Sequence, residues 1–202
     1  MRLRLERHFL GRVFFLCFTV LERVGNAMQI RKTTANDIDA VMSIIEEARR
    51  TIAALGIDQW QNGTPNRAMI EEDVALEQSR CVVADDGQIV GTFALISVGE
   101  PTYDRIFEGS WTLDDLDGDG NCAYLAIHRV AISVSKRGSG ISTAMIDFAA
   151  RTARELGRGS LRIDTHRGNV VMRRMLEKHG FVHRGTIYLQ NGDPRVAYER
   201  VL

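Results

Sequence analysis

The residues with the clearest capacity for chemistry lie in the stretch Tyr124 to Leu156, and within it in the run Arg137-Gly138-Ser139-Gly140-Ile141-Ser142. The run follows Tyr124-Leu125-Ala126-Ile127-His128-Arg129-Val130-Ala131-Ile132, apolar and β-branched enough to be a strand. It precedes Ile141, Ala144, Met145, Phe148, Ala149 and Thr152, whose spacing marks one face of an amphipathic helix. A glycine-containing turn between a strand and a helix start lets main-chain N–H groups converge in one concavity, and the helix N-terminus adds free donors and a partial positive charge. That is an anion site, most naturally for a phosphate or pyrophosphate, with Lys136 and Arg137 adding charge at its rim. Two common phosphate motifs do not fit. The third glycine of a dinucleotide fingerprint is replaced by Thr143, and the Gly-Lys-Ser/Thr ending of a P-loop is missing.

His128 is the best candidate for a general base, because an imidazole near its ordinary pKa of about 6.5 can take a proton from an ammonium directly or through water. Strict alternation places it on one face with Tyr124, Ala126 and Val130, unless a bulge interrupts the strand. The alternative is a half-buried histidine bonded to a backbone carbonyl. Asp164 and His166 share a strand face, but no nucleophile is placed beside them, so a loop-ordering role is expected. Asp115-x-Asp117-x-Asp119-Gly120 opens like a calcium loop yet has Ala126 at its twelfth position and a strand after it. It reads as a solvated turn, or as an acidic mouth that attracts a cationic amine, and no metal is expected.

The run from Arg137 resembles the Q/R-x-x-G-x-G/A signature of the GCN5-related N-acetyltransferase (GNAT) superfamily, with Arg137 first, Gly140 fourth and Ser142 where Gly or Ala is usual. The preceding Val-Ala-Ile-Ser-Val and following Ala-Met-Ile-Asp-Phe-Ala are similar to that family as well. So is Asn169-Val-Val-Met-Arg-Arg-Met-Leu-Glu-Lys-His-Gly-Phe181, an Asn entering a helix that ends in Gly-Phe. The resemblance implies acetyl-CoA as co-substrate. Its pyrophosphate would lie on Arg137, Gly138, Ser139, Gly140, Ile141 and Ser142, and its pantetheine along Val130, Ala131 and Ile132, a strand that often carries a bulge in the family. Asn169 would bond the pantetheine or a nearby water, serve as a helix cap, or do both. The tyrosine that often follows this Asn by seven residues and protonates the departing thiolate is Leu176 here, which leaves water or another tyrosine such as Tyr188 for that role. Gln59, Trp60, Tyr103 and Trp111 fall in the segments that cover the acceptor side, where the two tryptophans either pack over substrate or close the core.

These residues need a frame. Hydrophobic residues make up 45% and charged residues 26% of the 202 positions, ordinary for one soluble domain. Lys+Arg equals Asp+Glu at 26 each, which gives no pull toward nucleic acid or anionic lipid. Cys17, Cys81 and Cys122 match no zinc spacing and no closed disulfide set, in keeping with a reducing, cytoplasmic setting. Residues 1–27 hold four arginines before a short apolar run, Val13 to Val20. That is a weak likeness to a signal peptide and too short to span a bilayer, so they are read as a disordered extension or a mis-assigned start ahead of Met28.

The domain is expected over 28–202. A strand from Met28 to Lys32 leads into a helix to about Leu55, and a second helix runs from Asn66 to Gln78. Strands Arg80–Ala84 and Gln88–Val98 form a hairpin at Asp85-Asp86-Gly87, and a polar excursion fills 99–121. After the central strand and helix come strand Ser160–Asp164, a helix from Asn169 to His179, and strands near 181–189 and 195–201. This order, β-α-α-β-β-β-α-β-α-β-β, is the one the superfamily shows: an α/β fold with a mixed sheet of about seven strands flanked by about four helices. The expected activity is transfer of an acetyl group from acetyl-CoA to a primary amine of a small molecule. Another acyl-CoA, a peptide or protein acceptor, or a non-catalytic acyl-CoA sensor are the alternatives, and a homodimer stays open. No nucleic-acid or membrane partner is expected.

Overall fold

The structure, a computed structural model, describes residues 22–24 and 28–202. Strands are β1 (Glu22–Val24), β2 (Met28–Lys32), β3 (Ser79–Ala84), β4 (Ile89–Ile96), β5 (Tyr124–Ile132), β6 (Ser160–Thr165), β7 (Val182–Tyr188) and β8 (Pro194–Val201); helices are α1 (Ile38–Ala54), α2 (Arg67–Ala75), α3 (Ile141–Glu155) and α4 (Val170–Lys178). From residue 28 onward these are the seven strands and four helices expected from the sequence. Within the stretch read as an N-terminal extension, residues 22–24 pair as a short edge strand; the rest of it, including Cys17, lies outside the described residues.

The strands make one sheet in the order β1-β2-β3-β4-β5-β6-β8-β7, antiparallel throughout except for the parallel pair β5–β6. Helices lie on both faces. α3 buries Ile141, Ala144, Met145, Phe148 and Ala149, and α4 buries Leu176, against Phe93, Leu95, Leu125, Ile127, Leu161 and Ile163. On the other face α1 sets Ile38, Val41 and Ile45 against Ile70 of α2, and Ile44 and Ala48 against Ala131. Two helices begin at asparagines whose side chains accept an N–H of the first turn, Asn66 from Met69 at 3.0 Å and Asn169 from Met172 at 3.2 Å.

The segment 99–122 is more than a polar excursion. It lies over the second half of that other face and packs Tyr103 into a small core with Tyr124, Ala126, Ile187 and Ala197. Phe107 forms an isolated bridge with Thr186 of β7. Trp111 donates its indole N–H to the Tyr103 carbonyl at 2.9 Å.

The β5–β6 ladder is short. It pairs Tyr124 with Ser160, Leu125 with Leu161 and Ala126 with Arg162, then stops, although both strands continue. Arg162, on the last rung, is fully buried. Its guanidinium lies 4.3 Å from the Trp111 ring centroid and 4.1 Å from that of Tyr124. It donates to the Leu113 carbonyl at 2.6 Å, to Glu199 at 3.2 Å and to Asp115. Glu199, also fully buried, accepts further from Ser160 at 3.0 Å and from the Thr112 N–H at 2.6 Å. Burial alone would raise the Glu199 pKa, but the Thr112 donors and Arg162 outweigh it and hold the carboxyl below its usual value.

Removing Arg162 leaves the fully buried Glu199 with only a longer contact to a cation, Arg184 at 3.6 Å. Arg162→Met is expected to lower unfolding free energy by about 3–5 kcal/mol, and Arg162→Met with Glu199→Gln to recover much of the loss. Urea midpoints of the three proteins check this.

Candidate functional site

Beyond Ala126 and Arg162 the separating strands open a cavity of about 580 Å³. β5 lines it with Ile127, His128, Arg129 and Val130, and β6 with Ile163, Asp164 and Thr165. Further walls include the α1–α2 loop (Gln59, Trp60, Asn62), Glu100 and Thr102, the start of α4 (Asn169, Met172), the β7–β8 turn with Asn191 and Asp193, and Arg195 at the start of β8.

A bulge shapes the β5 wall. Thr92 of β4 pairs with Ala131 and Ala94 with His128, so Phe93 faces two residues, Arg129 and Val130. Arg129 has φ 54°, an uncommon left-handed conformation for a residue other than glycine. Its Nε lies 3.0 Å from Asp73 of α2, a carboxylate whose pKa burial raises and Arg129 draws back. The expectation that His128 shares a face with Val130 is therefore corrected. His128 stays with Tyr124 and Ala126 on the side of the 99–122 segment, whereas Val130 and Ile132 pack with Leu125 and Ile127 against the α3 core. Past the bulge, Ser133 donates to the Val90 carbonyl at 2.9 Å, so strand alternation turns the Ile132 N–H away from β4 toward the gap.

The turn after β5 joins the strand to α3 through two glycines at positive φ, as read from the sequence. Gly138 and Gly140 have φ 80° and 85°, and Gly140 caps α3 in the left-handed region. A Cβ at either position would meet nothing within 4 Å, so glycine is required for backbone conformation and not for space. Gly138, Ser139 and Gly140 are exposed. The N–H groups of Gly138, Gly140, Ile141, Ser142 and Thr143 have no partner among the described residues. The turn is held from outside: Glu47 of α1 accepts from the Val134 N–H at 2.9 Å and the Ser133 hydroxyl at 3.1 Å, and Arg137 donates to Thr51 at 3.0 Å. A row of free donors at the start of a 15-residue helix, flanked by Lys136 and Arg137, fits a diphosphate.

His128 is neither free nor bonded to a carbonyl. Its Nε2 lies 3.2 Å from Glu100 Oε2, in a contact too bent to count as a hydrogen bond. The other Glu100 oxygen accepts from the Thr102 N–H at 3.2 Å and hydroxyl at 2.9 Å, and the Glu100 N–H donates to Tyr124 Oη at 2.8 Å. Burial pushes the Glu100 pKa up, but His128 and Thr102 outweigh it and bring it down to about 2. Tyr103 stacks on the imidazole, with centroids 5.8 Å apart and planes at 25°. Its hydroxyl donates to Asp164 at 2.8 Å, and burial followed by the Asp164 charge raises its pKa, so the proton stays.

The other expected residues are placed unequally. Gln59 bridges two loops, its Oε1 lying 3.3 Å from Asn169 Nδ2, 3.4 Å from the His166 N–H and 3.5 Å from the Thr165 hydroxyl. Asn169 is thus both a helix cap and part of the cavity wall. Trp60, with φ 67°, packs between α1 and Ala131 and also lines the cavity. Trp111 is outside the cavity and closes the core over Arg162. Tyr188 is half exposed, edge-on to Phe107 at 5.2 Å, and outside the cavity. Leu176 is fully buried in the α3 core. Among the described residues no tyrosine lines the cavity. His166 accepts the Gly168 N–H at 3.0 Å and so orders its loop, and Asp117 accepts from the Asp119 and Asn121 N–H groups as a turn former. Sequence reasoning missed Glu100, Thr102 and Glu47. Glu100 and Glu47 act across the fold, on His128 and on the turn at Ser133–Val134, and Thr102 matters only through Glu100, so no local pattern marks the set.

The family model described as acetyltransferase (GNAT) family matches residues 41–181. Among solved structures, a GNAT-family acetyltransferase from Streptococcus agalactiae is similar at 37% identity and a TM-score of 0.75, covering 87% of this chain and 95% of that one. One from Listeria monocytogenes superposes with a TM-score of 0.65 at 19% identity over 87% and 95% of the two chains, and Ard1 from Thermoplasma volcanium with 0.56 at 17% over 87% and 98%. These two show the fold alone. No curated protein matches the sequence.

The Glu100 pKa, lowered from 4.5 to about 2, makes a prediction about stability. A depressed carboxyl contributes stability that is fully present above its unfolded pKa and lost as pH falls through the folded one. Wild type is therefore expected to exceed Glu100→Gln by about 2 kcal/mol at pH 5–6, with the gap closing between pH 4.5 and pH 2. Denaturant unfolding at a series of pH values reads it.

Proposed function

The chain belongs to the acetyltransferase (GNAT) family, and from that premise we propose that it moves the acetyl group of acetyl-CoA to a primary amine of a small molecule. The observation that carries this reading is the His128–Glu100 pair inside the cavity, on the strand that leads directly into the glycine turn. Acetyl-CoA supplies an activated acyl carbon and a thiolate leaving group. The N–H groups of Gly138, Gly140, Ile141, Ser142 and Thr143, with Lys136 and Arg137, are the groups that would hold its diphosphate, and the β5 edge at Val130 to Ile132 would run beside its pantetheine.

His128 takes the proton from the acceptor ammonium, and Glu100 stabilises the imidazolium that results. The amine nitrogen then forms its bond to the acyl carbon as the carbon–sulfur bond breaks, with the cavity walls holding the two reactants in line. As the amide forms, the nitrogen sheds its second proton, which passes through water to the leaving thiolate, consistent with a cavity that no tyrosine lines among the described residues. What supports a small acceptor over a peptide is that Gln59 ties the α1–α2 loop to the β6–α4 loop and the β7–β8 turn supplies another wall.

Two outcomes follow, both read by release of free thiol across a panel of amines. His128→Ala is expected to lower kcat about 10²–10⁴-fold at neutral pH for an alkylamine of pKa about 10.4, with much of the deficit recovered as pH approaches that value. Unchanged turnover at saturating amine would remove His128 from catalysis. Gly140→Val, which forces a β-branched residue to φ 85°, is expected to raise KM for acetyl-CoA by about tenfold or more. Thermal melting separates this effect from unfolding.

A further inference from the structure

The last β5–β6 pair is Ala126–Arg162, so the next residues on the same sheet face are His128 on β5 and Asp164 on β6. They stand opposite each other at the mouth of the opening, both lining the cavity. A single buried side chain spans them: the Tyr103 ring stacks on His128 while its hydroxyl donates to Asp164. The other carboxylates of the cavity wall each lie beside a basic side chain. Glu100 faces His128, Asp193 lies 3.6 Å from Arg195, and Asp58 lies 3.6 Å from His166. Among the described residues, Asp164 has a neutral donor and no cation. Tyr103 occupies one of its oxygens, and the residue is only half-buried in an otherwise buried strand.

We propose that Asp164 is the specificity-determining residue for the acceptor, holding the ammonium of an aliphatic amine opposite His128 and so selecting acceptors that are cationic in solution over amines that are neutral. This rests on the acetyltransferase reading of the same cavity. The physical reason is charge balance: an ammonium entering the opening supplies the counter-charge that Asp164 lacks, and its remaining N–H bonds point across the gap to the imidazole. Asp164 positions and His128 deprotonates. Tyr103 fixes the carboxylate rotamer, so the anchor is formed before the acceptor arrives.

The experiment compares an alkylamine with an alkoxyamine of the same length, neutral at pH 7, by thiol release from wild type, Asp164→Asn and Tyr103→Phe. Asp164→Asn is expected to lower kcat/KM for the alkylamine about 10- to 100-fold more than for the alkoxyamine, chiefly through KM, with Tyr103→Phe shifting the ratio the same way by less. A wild-type measurement guards against misfolded variants: a quaternary ammonium of matching chain length is expected to compete with the alkylamine, and the corresponding alcohol is not. Equal losses for both amines, or no inhibition by the cation, would overturn the assignment while leaving acetyl transfer intact. Failure of every amine to release thiol from the wild type would instead sink the acetyltransferase reading itself.

Discussion

Everything about the cavity follows from where the β5–β6 ladder ends. A ladder that stops early leaves main-chain donors and acceptors without partners, and folded proteins tolerate this where solvent or a ligand can satisfy them. The interruption occurs between fixed points. On one side the bulge at Arg129 and Val130 turns β5 away, anchored by Arg129 against Asp73 of α2. On the other, β6 continues its pairing with β8 through Thr165 and cannot follow. The sheet is thus whole at the Arg162 rung and open immediately beyond it.

The buried cation on that rung explains why the opening keeps its shape. Arg162 is sandwiched between Trp111 and Tyr124. Tyr124 accepts the Glu100 N–H, and Glu100 faces His128. Trp111 in turn donates to the carbonyl of Tyr103, whose ring and hydroxyl meet His128 and Asp164. Two routes therefore run from one guanidinium to the same imidazole. An ion pair buried this deeply is weak evidence for stability, because desolvation offsets its attraction. Its effect here is geometric: it commits 99–122, a segment with no α-helix or named strand of its own, to one path over the sheet.

How much of this was legible in the sequence depends on the range of the interaction. The β5 strand from Tyr124 to Ile132, the helix start at Ile141, the glycine turn and the caps at Asn66 and Asn169 are local, and periodicity or turn chemistry marks each one. The bulge was foreseeable only as a family habit, because Arg129 carries no sign that it adopts a left-handed conformation. Glu100 and Asp164 each look like an ordinary polar residue at the edge of an element. Their meaning comes from partners far along the chain, such as Tyr103 for Asp164, 61 residues away. Trp111 shows the same limit. Its type fits both a substrate lid and a core plug, and the fold alone decides between them by placing Arg162 beneath it.

The distribution of polar groups in the cavity is itself an argument about the reaction. Acetyl transfer to an amine has two proton problems of different size. The amine, with a pKa about 10.4 in its lysine-like form, must lose a proton before it can attack, whereas a thiol near 8.5 leaves readily as its anion. A site under pressure to solve the harder problem would concentrate its oriented polar groups on the acceptor. Here His128, Glu100, Thr102, Tyr103 and Asp164 form one connected set, which the proposed reading puts on the acceptor side. On the leaving side, Leu176 is sealed in the core and Tyr188 packs on the surface against Phe107. On the proposed reading, the polar groups gathered around His128 and the lack of a tyrosine among the described residues lining the cavity both answer to that one difference in pKa.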